Sequence, residues 1–223
     1  MPGSPNGGAR FYGLIALGAA GLAAALWLLS PLDLLLSRSL HQPGSAFGRI
    51  VLLCGEWPGW LAVLLCALGL VWSRRRPGLR RSRPLFLAVI LLALLHPLLV
   101  TQALKFGWGR VRPADLRADA SNYTPFFYPA GPGAGESFPS GHVAMSLAAA
   151  PLPFHLWRHR QRRAAAAAFA GLLALGVLVG LGRMVAGAHY ATDCLFSLGL
   201  SFLLAAVIER RLGGAIPAGR PPV

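Results

Sequence analysis

This chain predicts an all-α fold, a six-transmembrane-helix bundle, on three observations: its composition, the recurrence of long apolar runs, and the placement of its bases. Of its 223 residues, 55% are hydrophobic and only 13% charged, and the mean hydropathy is +0.57, too apolar for an ordinary soluble domain. The runs are of the length that crosses about 30 Å of hydrocarbon as a helix. The net charge of +14 falls in short clusters between those runs, which marks topogenic charge rather than a nucleic-acid groove, so no nucleic-acid partner is expected.

Residues 1–10 are Pro/Gly-rich and read as a disordered tail, 11–211 as the membrane domain, and 212–223 as a flexible tail. Phe11 to Leu29 carries no charge. Signal-peptide cores run to only about 7–15 apolar residues, so this is an uncleaved first span. After a loop marked by Asp33, Arg38, His41, Pro43 and Arg49, a second span runs to Trp72, with Glu56, Trp57 and Pro58 near its entry. The basic run Arg74 to Arg83 precedes a third span that ends before Lys105 and contains His96-Pro97, read as a packed polar residue beside a kinking proline. Residues 105–138 form one long polar connection, a length common in functional loops. The fourth span, Pro139 to Trp157, is shortened or bent by Pro151 and Pro153; the fifth is Ala164 to Gly182, with Gly176-x-x-x-Gly180 permitting close helix approach; the sixth is Tyr190 to Ile208. Cys54, Cys66 and Cys194 show no metal spacing and read as packing residues.

With the N-terminus in the cytoplasm, fourteen of the 21 bases fall inside and seven outside, in keeping with the positive-inside rule. The outside loop between spans three and four nevertheless holds four of those seven, Lys105, Arg110, Arg112 and Arg117. Orientation does not explain that excess, and an anionic ligand would.

Three polar clusters land on that outer side. Lys105-Phe106-Gly107-Trp108-Gly109-Arg110-Val111-Arg112-Pro113 offers an ammonium and guanidinium forks suited to phosphate, or equally an interfacial anchor for lipid headgroups. Ser137-Phe138-Pro139-Ser140-Gly141-His142 places a serine and a bare glycine at a helix start, an anion site aided by the helix dipole, where an ordinary N-cap would leave His142 unexplained. In Arg183 to Asp193 the four-residue spacing of His189 and Asp193 stacks them on one helix face, so that the carboxylate can hold one imidazole nitrogen as N–H and free the other for attack. A capping aspartate with a snorkelling histidine is the alternative. Convergence of the three clusters predicts an active site at the extracytoplasmic ends of helices three to six.

These motifs resemble the type 2 phosphatidic acid phosphatases, also called the lipid phosphate phosphatase and vanadium haloperoxidase superfamily. Lys105 to Arg112-Pro113, Pro139-Ser140-Gly141-His142, and Arg183 followed by His189 and Asp193 match its three-part signature in order and spacing. One departure is Gly182, where the family usually has a serine. The resemblance implies that His189 attacks phosphorus to form a phosphohistidine, that Asp193 orients His189, and that His142 protonates the leaving group. It further implies that Lys105, Arg112, Arg183, the Ser140 hydroxyl and the Gly141 N–H hold the phosphate oxygens, with Arg110 as a further neighbour. No metal or other cofactor is expected, because two-metal phosphatases need clustered carboxylates and the seven acidic residues here are scattered.

The implied substrate is a membrane lipid phosphate at the outer face of a multi-pass cell membrane, of the bacterial inner-membrane kind: undecaprenyl diphosphate, phosphatidic acid, phosphatidylglycerophosphate or lipid A. In the loop 114–136, Tyr123, Phe126, Phe127 and Tyr128 read either as substrate selectors or as interfacial anchors. A lipid phosphotransferase using the same intermediate and a non-catalytic anion- or lipid-binding membrane protein are the rival readings, the latter having no use for two histidines and Asp193 at this spacing. Oligomeric state is not legible.

Overall fold

Long uncharged runs in a chain that must satisfy every backbone N–H and C=O within hydrocarbon leave only helix or closed barrel, and the aliphatic and alanine-rich runs here favour helix. The computed structural model describes residues 5–215, which contain ten α-helices and no strand. In order they are α1 Pro5–Leu29, α2 Asp33–Leu40, α3 Ala46–Cys54, α4 Trp57–Trp72, α5 Arg83–Ala93, α6 Thr101–Trp108, α7 Gly141–Ser146, α8 Pro151–Arg158, α9 Arg162–Val185 and α10 Ala191–Ala215.

Among the described residues, five helical stretches are long and apolar enough to cross a membrane: Gly8–Leu40, Ala46–Trp72, Pro77–Asp115, Arg162–Val185 and Ala191–Gly213. These correspond to the expected spans one, two, three, five and six, the layout of a multi-pass membrane protein. Residues 5–10, expected in a disordered tail, instead extend α1, and α10 continues to Ala215 into the expected C-terminal tail; 1–4 and 216–223 lie outside the described residues.

The fourth expected span is not one helix. α7 and α8 are separated by a turn, with Leu147 off helical geometry at φ −98°, ψ 17°. Pro151 and Pro153 lack the amide hydrogens that would continue the ladder back into 147–149. The broken segment is nonetheless the centre of the bundle: Val143, Ala144, Met145, Leu147, Ala148 and Ala150 are all buried, packed by α4, α5, α9 and α10. It runs alongside α10 for most of that helix's length. At one end Ser140 lies beside Cys194, and at the other Arg158 reaches Glu209 at 2.9 Å.

Pro97 has a gentler effect. The helix continuing from α5 relaxes into a π-helical turn over Leu94–Val100, so that the Thr101 amide bonds the His96 carbonyl, before α6 resumes. His96 is buried and its Nδ1 lies 3.0 Å from Ser201 Oγ on α10. Large apolar side chains such as Leu14, Leu17, Leu61, Leu65, Leu99 and Leu178 are exposed on the outer faces of the helices, where a bilayer would cover them.

Candidate active site

α6 ends because Gly109 takes a left-handed conformation at φ +65°, and a side chain there would collide with the Gly131 carbonyl. Lys105 in the last turn of α6, and Arg110 and Arg112 just past the turn, face the junction of α9 and α10. That junction is a five-residue connection, 186–190, from which His189 emerges just before α10 begins at Ala191.

His189 is only 2% exposed, and its Nδ1 donates a hydrogen bond to the Ser137 carbonyl, which fixes the tautomer and leaves Nε2 with the lone pair. Burial pushes its pKa well below the ordinary histidine value of 6.5, and the positive charges of Arg183, Lys105 and Arg112 push the same way. Burial and these charges thus favour the neutral imidazole.

Asp193 stands 3.9 Å from His189 Nδ1, beyond hydrogen-bond reach. The direct imidazole–carboxylate bond expected from the four-residue spacing is replaced by a relay, because His189 lies outside the helix that holds Asp193. Ser137 bridges the two: its hydroxyl donates to Asp193 Oδ2 at 2.6 Å while its carbonyl accepts from His189. Asp193 Oδ2 also accepts the Tyr190 amide at 2.9 Å, and Oδ1 takes Arg110 Nη1 at 2.5 Å.

Arg110 is fully buried and committed within the protein. Besides Asp193, its Nη2 donates to Asp33 at 2.8 Å, Nη1 to Thr192 Oγ1 at 2.8 Å and Nε to the Thr124 carbonyl at 3.1 Å, while its plane lies 4.1 Å from the Tyr190 ring centroid. This corrects its reading as a phosphate neighbour: its donors are used up tying the loop after α6 to α2 and α10.

The side chains expected to hold phosphate are otherwise disposed. Arg183 is 6% exposed, and its Nε, like Arg112 Nε and Ser140 Oγ, is buried without a conventional hydrogen-bond partner; Ser140 has only the weak neighbouring thiol of Cys194. Buried donors left this way carry a desolvation cost that an incoming anion would relieve. Arg112 also makes a 3.4 Å contact with Glu136. Lys105 and Glu136 line a cavity of about 300 Å³ with Gln102, Phe106, Gly133 and Gly135. The Gly141 amide opens α7, one residue after Ser140.

His142 lies within the fields of Arg183 and Lys105. Its Nδ1 lies 3.2 Å from Glu56 Oε1 and its Nε2 3.1 Å from the Leu52 carbonyl. Lys105, Arg112, His142, Arg183 and His189 are thus gathered at one end of the bundle, together with Ser140 and Asp193.

Sequence reasoning assigned no role to Asp33, Glu56 or Ser137. In sequence the first two mark only a loop and a span entry, although a carboxylate beside apolar spans commonly needs a partner. The departure at Gly182 has a packing cause: a Cβ there would lie 2.4 Å from Val51 Cγ2, so α3 occupies the space a serine would need. Among the described residues, no group of three or more His, Cys, Asp or Glu side chains is arranged to hold a metal ion.

No curated protein and no solved structure matches this chain. The sequence model of the PAP2 superfamily matches residues 84–213, which include every one of the motif residues described above. With all three motifs inside that match, and their side chains meeting at one end of a helical membrane bundle, the chain belongs to the PAP2 superfamily, a family of phosphatases.

Proposed function

We propose that this protein hydrolyses the phosphomonoester or diphosphate of a membrane lipid through a phosphohistidine on His189. The observation that carries the reading is the state of His189: buried, neutral, held through Nδ1 by the Ser137 carbonyl, and surrounded by Arg183, Lys105 and Arg112. Nε2 attacks phosphorus while these cations, the Ser140 hydroxyl and the Gly141 amide hold the equatorial oxygens, the positioned electrostatic stabilisation on which phosphoryl transfer depends. His142 gives a proton to the leaving oxygen and later takes one from the water that cleaves the phosphoenzyme. Asp193, acting through Ser137, favours the cationic ring of the intermediate.

A lipid substrate fits a site at the end of apolar helices, with the headgroup entering and the chains remaining in the bilayer. In this reading the segment 141–158 is the fourth of six crossings. Its 18 residues would span about 27 Å as straight helix, and it tracks α10 from the site to Glu209. The distribution of bases then puts the site on the extracytoplasmic face, as in a bacterial inner-membrane enzyme, and no metal takes part.

Phosphate release in detergent from undecaprenyl diphosphate, phosphatidic acid, phosphatidylglycerophosphate and lipid A, with chelator present, tests this directly. Turnover of at least one lipid is expected, with loss of both turnover and acid-labile phosphoenzyme in His189→Ala. Retained turnover in that variant would remove His189 from its role.

A further inference from the structure

A neutral imidazole has one N–H donor and one lone pair, whereas an imidazolium has two donors. His142 is faced by acceptors at both nitrogens. The Glu56 carboxylate lies 3.2 Å from Nδ1, and the Leu52 carbonyl 3.1 Å from Nε2. Neither acceptor can donate in return, so a neutral ring would set a lone pair against an oxygen at one of the two contacts. Only the doubly protonated ring satisfies both.

The acceptors are themselves fixed by the chain's course. α3 stops at Cys54, and Leu52 is among the last carbonyls of that helix, which end without intrahelical donors and carry the negative end of the helix dipole. Glu56 follows in the turn to α4, where its other oxygen accepts Trp60 Nε1 at 3.2 Å. One cation is thus met by a carboxylate, a free carbonyl and a helix C-terminus. The opposing influences are partial burial, the largest of them, then Arg183 from α9 and, more weakly, Lys105 from α6. A bound phosphate would neutralise those two cations and remove their part of the opposition.

We infer that Glu56, which lies outside the residues matched by the family, is the positioning residue that keeps His142 doubly protonated, so that the acid of the reaction enters each turnover already loaded. The inference rests on the phosphatase reading above. As the bond from phosphorus to the leaving oxygen breaks, its electron pair takes a proton from His142 and the phosphoryl group passes to His189 Nε2. Water then attacks phosphorus, its proton goes to the neutral His142, and the bond to His189 breaks, giving inorganic phosphate and restoring the imidazolium between Glu56 and Leu52.

The test uses the full chain in detergent, with dioleoyl phosphatidic acid as an alkyl ester and p-nitrophenyl phosphate as an ester whose leaving group departs without a proton. Glu56→Gln keeps the shape and removes the charge. With the lipid, its alkaline limb of kcat/KM should move to lower pH by about one unit, the effect of deleting an adjacent opposite charge, and Glu56→Asp should restore part of the shift. With the aryl ester the limb should not move. Independently of turnover, carbon-13 labelling of the six histidines, with His142 assigned from its loss in His142→Gln, should show that ring releasing its proton at lower pH in Glu56→Gln. A fall in kcat with the limb and the His142 titration both unmoved would reduce Glu56 to a packing residue and overturn the inference while leaving the phosphatase reading intact. Undiminished lipid turnover by His142→Gln would overturn the acid assignment and this inference together.

Discussion

Arg110 Nη1 and Asp193 Oδ1 lie 2.5 Å apart with neither side chain exposed, and the same guanidinium holds Asp33 at 2.8 Å. Two carboxylates from opposite ends of the chain thus share one buried cation. Removing one partner of a buried pair leaves an uncompensated charge, which typically costs about 3–5 kcal/mol. Arg110→Ala should therefore lower the thermal midpoint in detergent sharply, and Arg110→Lys should recover little, because an ammonium cannot replace the planar fork. A midpoint within a degree or two of wild type would contradict the shared-cation arrangement.

Ser137 should matter to turnover through its hydroxyl and not through its carbonyl alone. Ser137→Ala keeps the acceptor for His189 but deletes the 2.6 Å bond to Asp193. Losing a hydrogen bond to a buried charged group costs about 1.5–3 kcal/mol, so kcat should fall roughly tenfold to a hundredfold with KM little changed. Steady-state kinetics on the best lipid substrate checks the split.

Restoring the family's serine should harm this protein. Gly182→Ser would drive a Cβ to within 2.4 Å of Val51, an overpacking that typically costs about 1–3 kcal/mol. Val51→Ala opens that space, so the double variant should be more stable than the sum of the two single changes predicts. Thermal melts of the four proteins close the cycle.

The pH dependence follows from His189. Attack needs the neutral ring, and burial with Arg183 and Lys105 holds the pKa well below 6.5, so the acid limb of kcat/KM should lie well below that pH. Lys105→Gln removes one opposing cation and should raise the limb. The same depression has a stability consequence: below about 6.5 the unfolded chain takes up a proton that the folded site excludes, so folding stability should decline as pH falls through that range. Activity profiles paired with melts across pH measure both.

Much of the candidate site was legible in sequence because it is made of residue types that apolar helices do not otherwise carry. His142, Arg183, His189 and Asp193 stand out in uncharged surroundings, and the structure brings them together with Lys105 and Arg112. Spans one, two, three, five and six were legible for the same reason. Other features depended on three-dimensional detail that spacing does not encode. The four-residue separation of His189 and Asp193 implies contact only if both lie in the helix, and α10 starts between them at Ala191. The prolines announced a disturbance in the fourth span but not that its halves would form the packed centre. Arg110 was misplaced because its partners, Asp33 and Thr192, lie 77 and 82 residues away.

The dependence of the site on α2 and the α3–α4 turn bears on how the protein can be divided. A piece beginning at residue 84 would retain every motif the family shares and all of its matched length. It would also lack Asp33, leaving Arg110 Nη2 and the Thr192 hydroxyl without their carboxylate acceptor, and Glu56, leaving His142 without its carboxylate neighbour. The stretch that sequence comparison finds is thus completed by carboxylates that only the preceding part of the chain supplies.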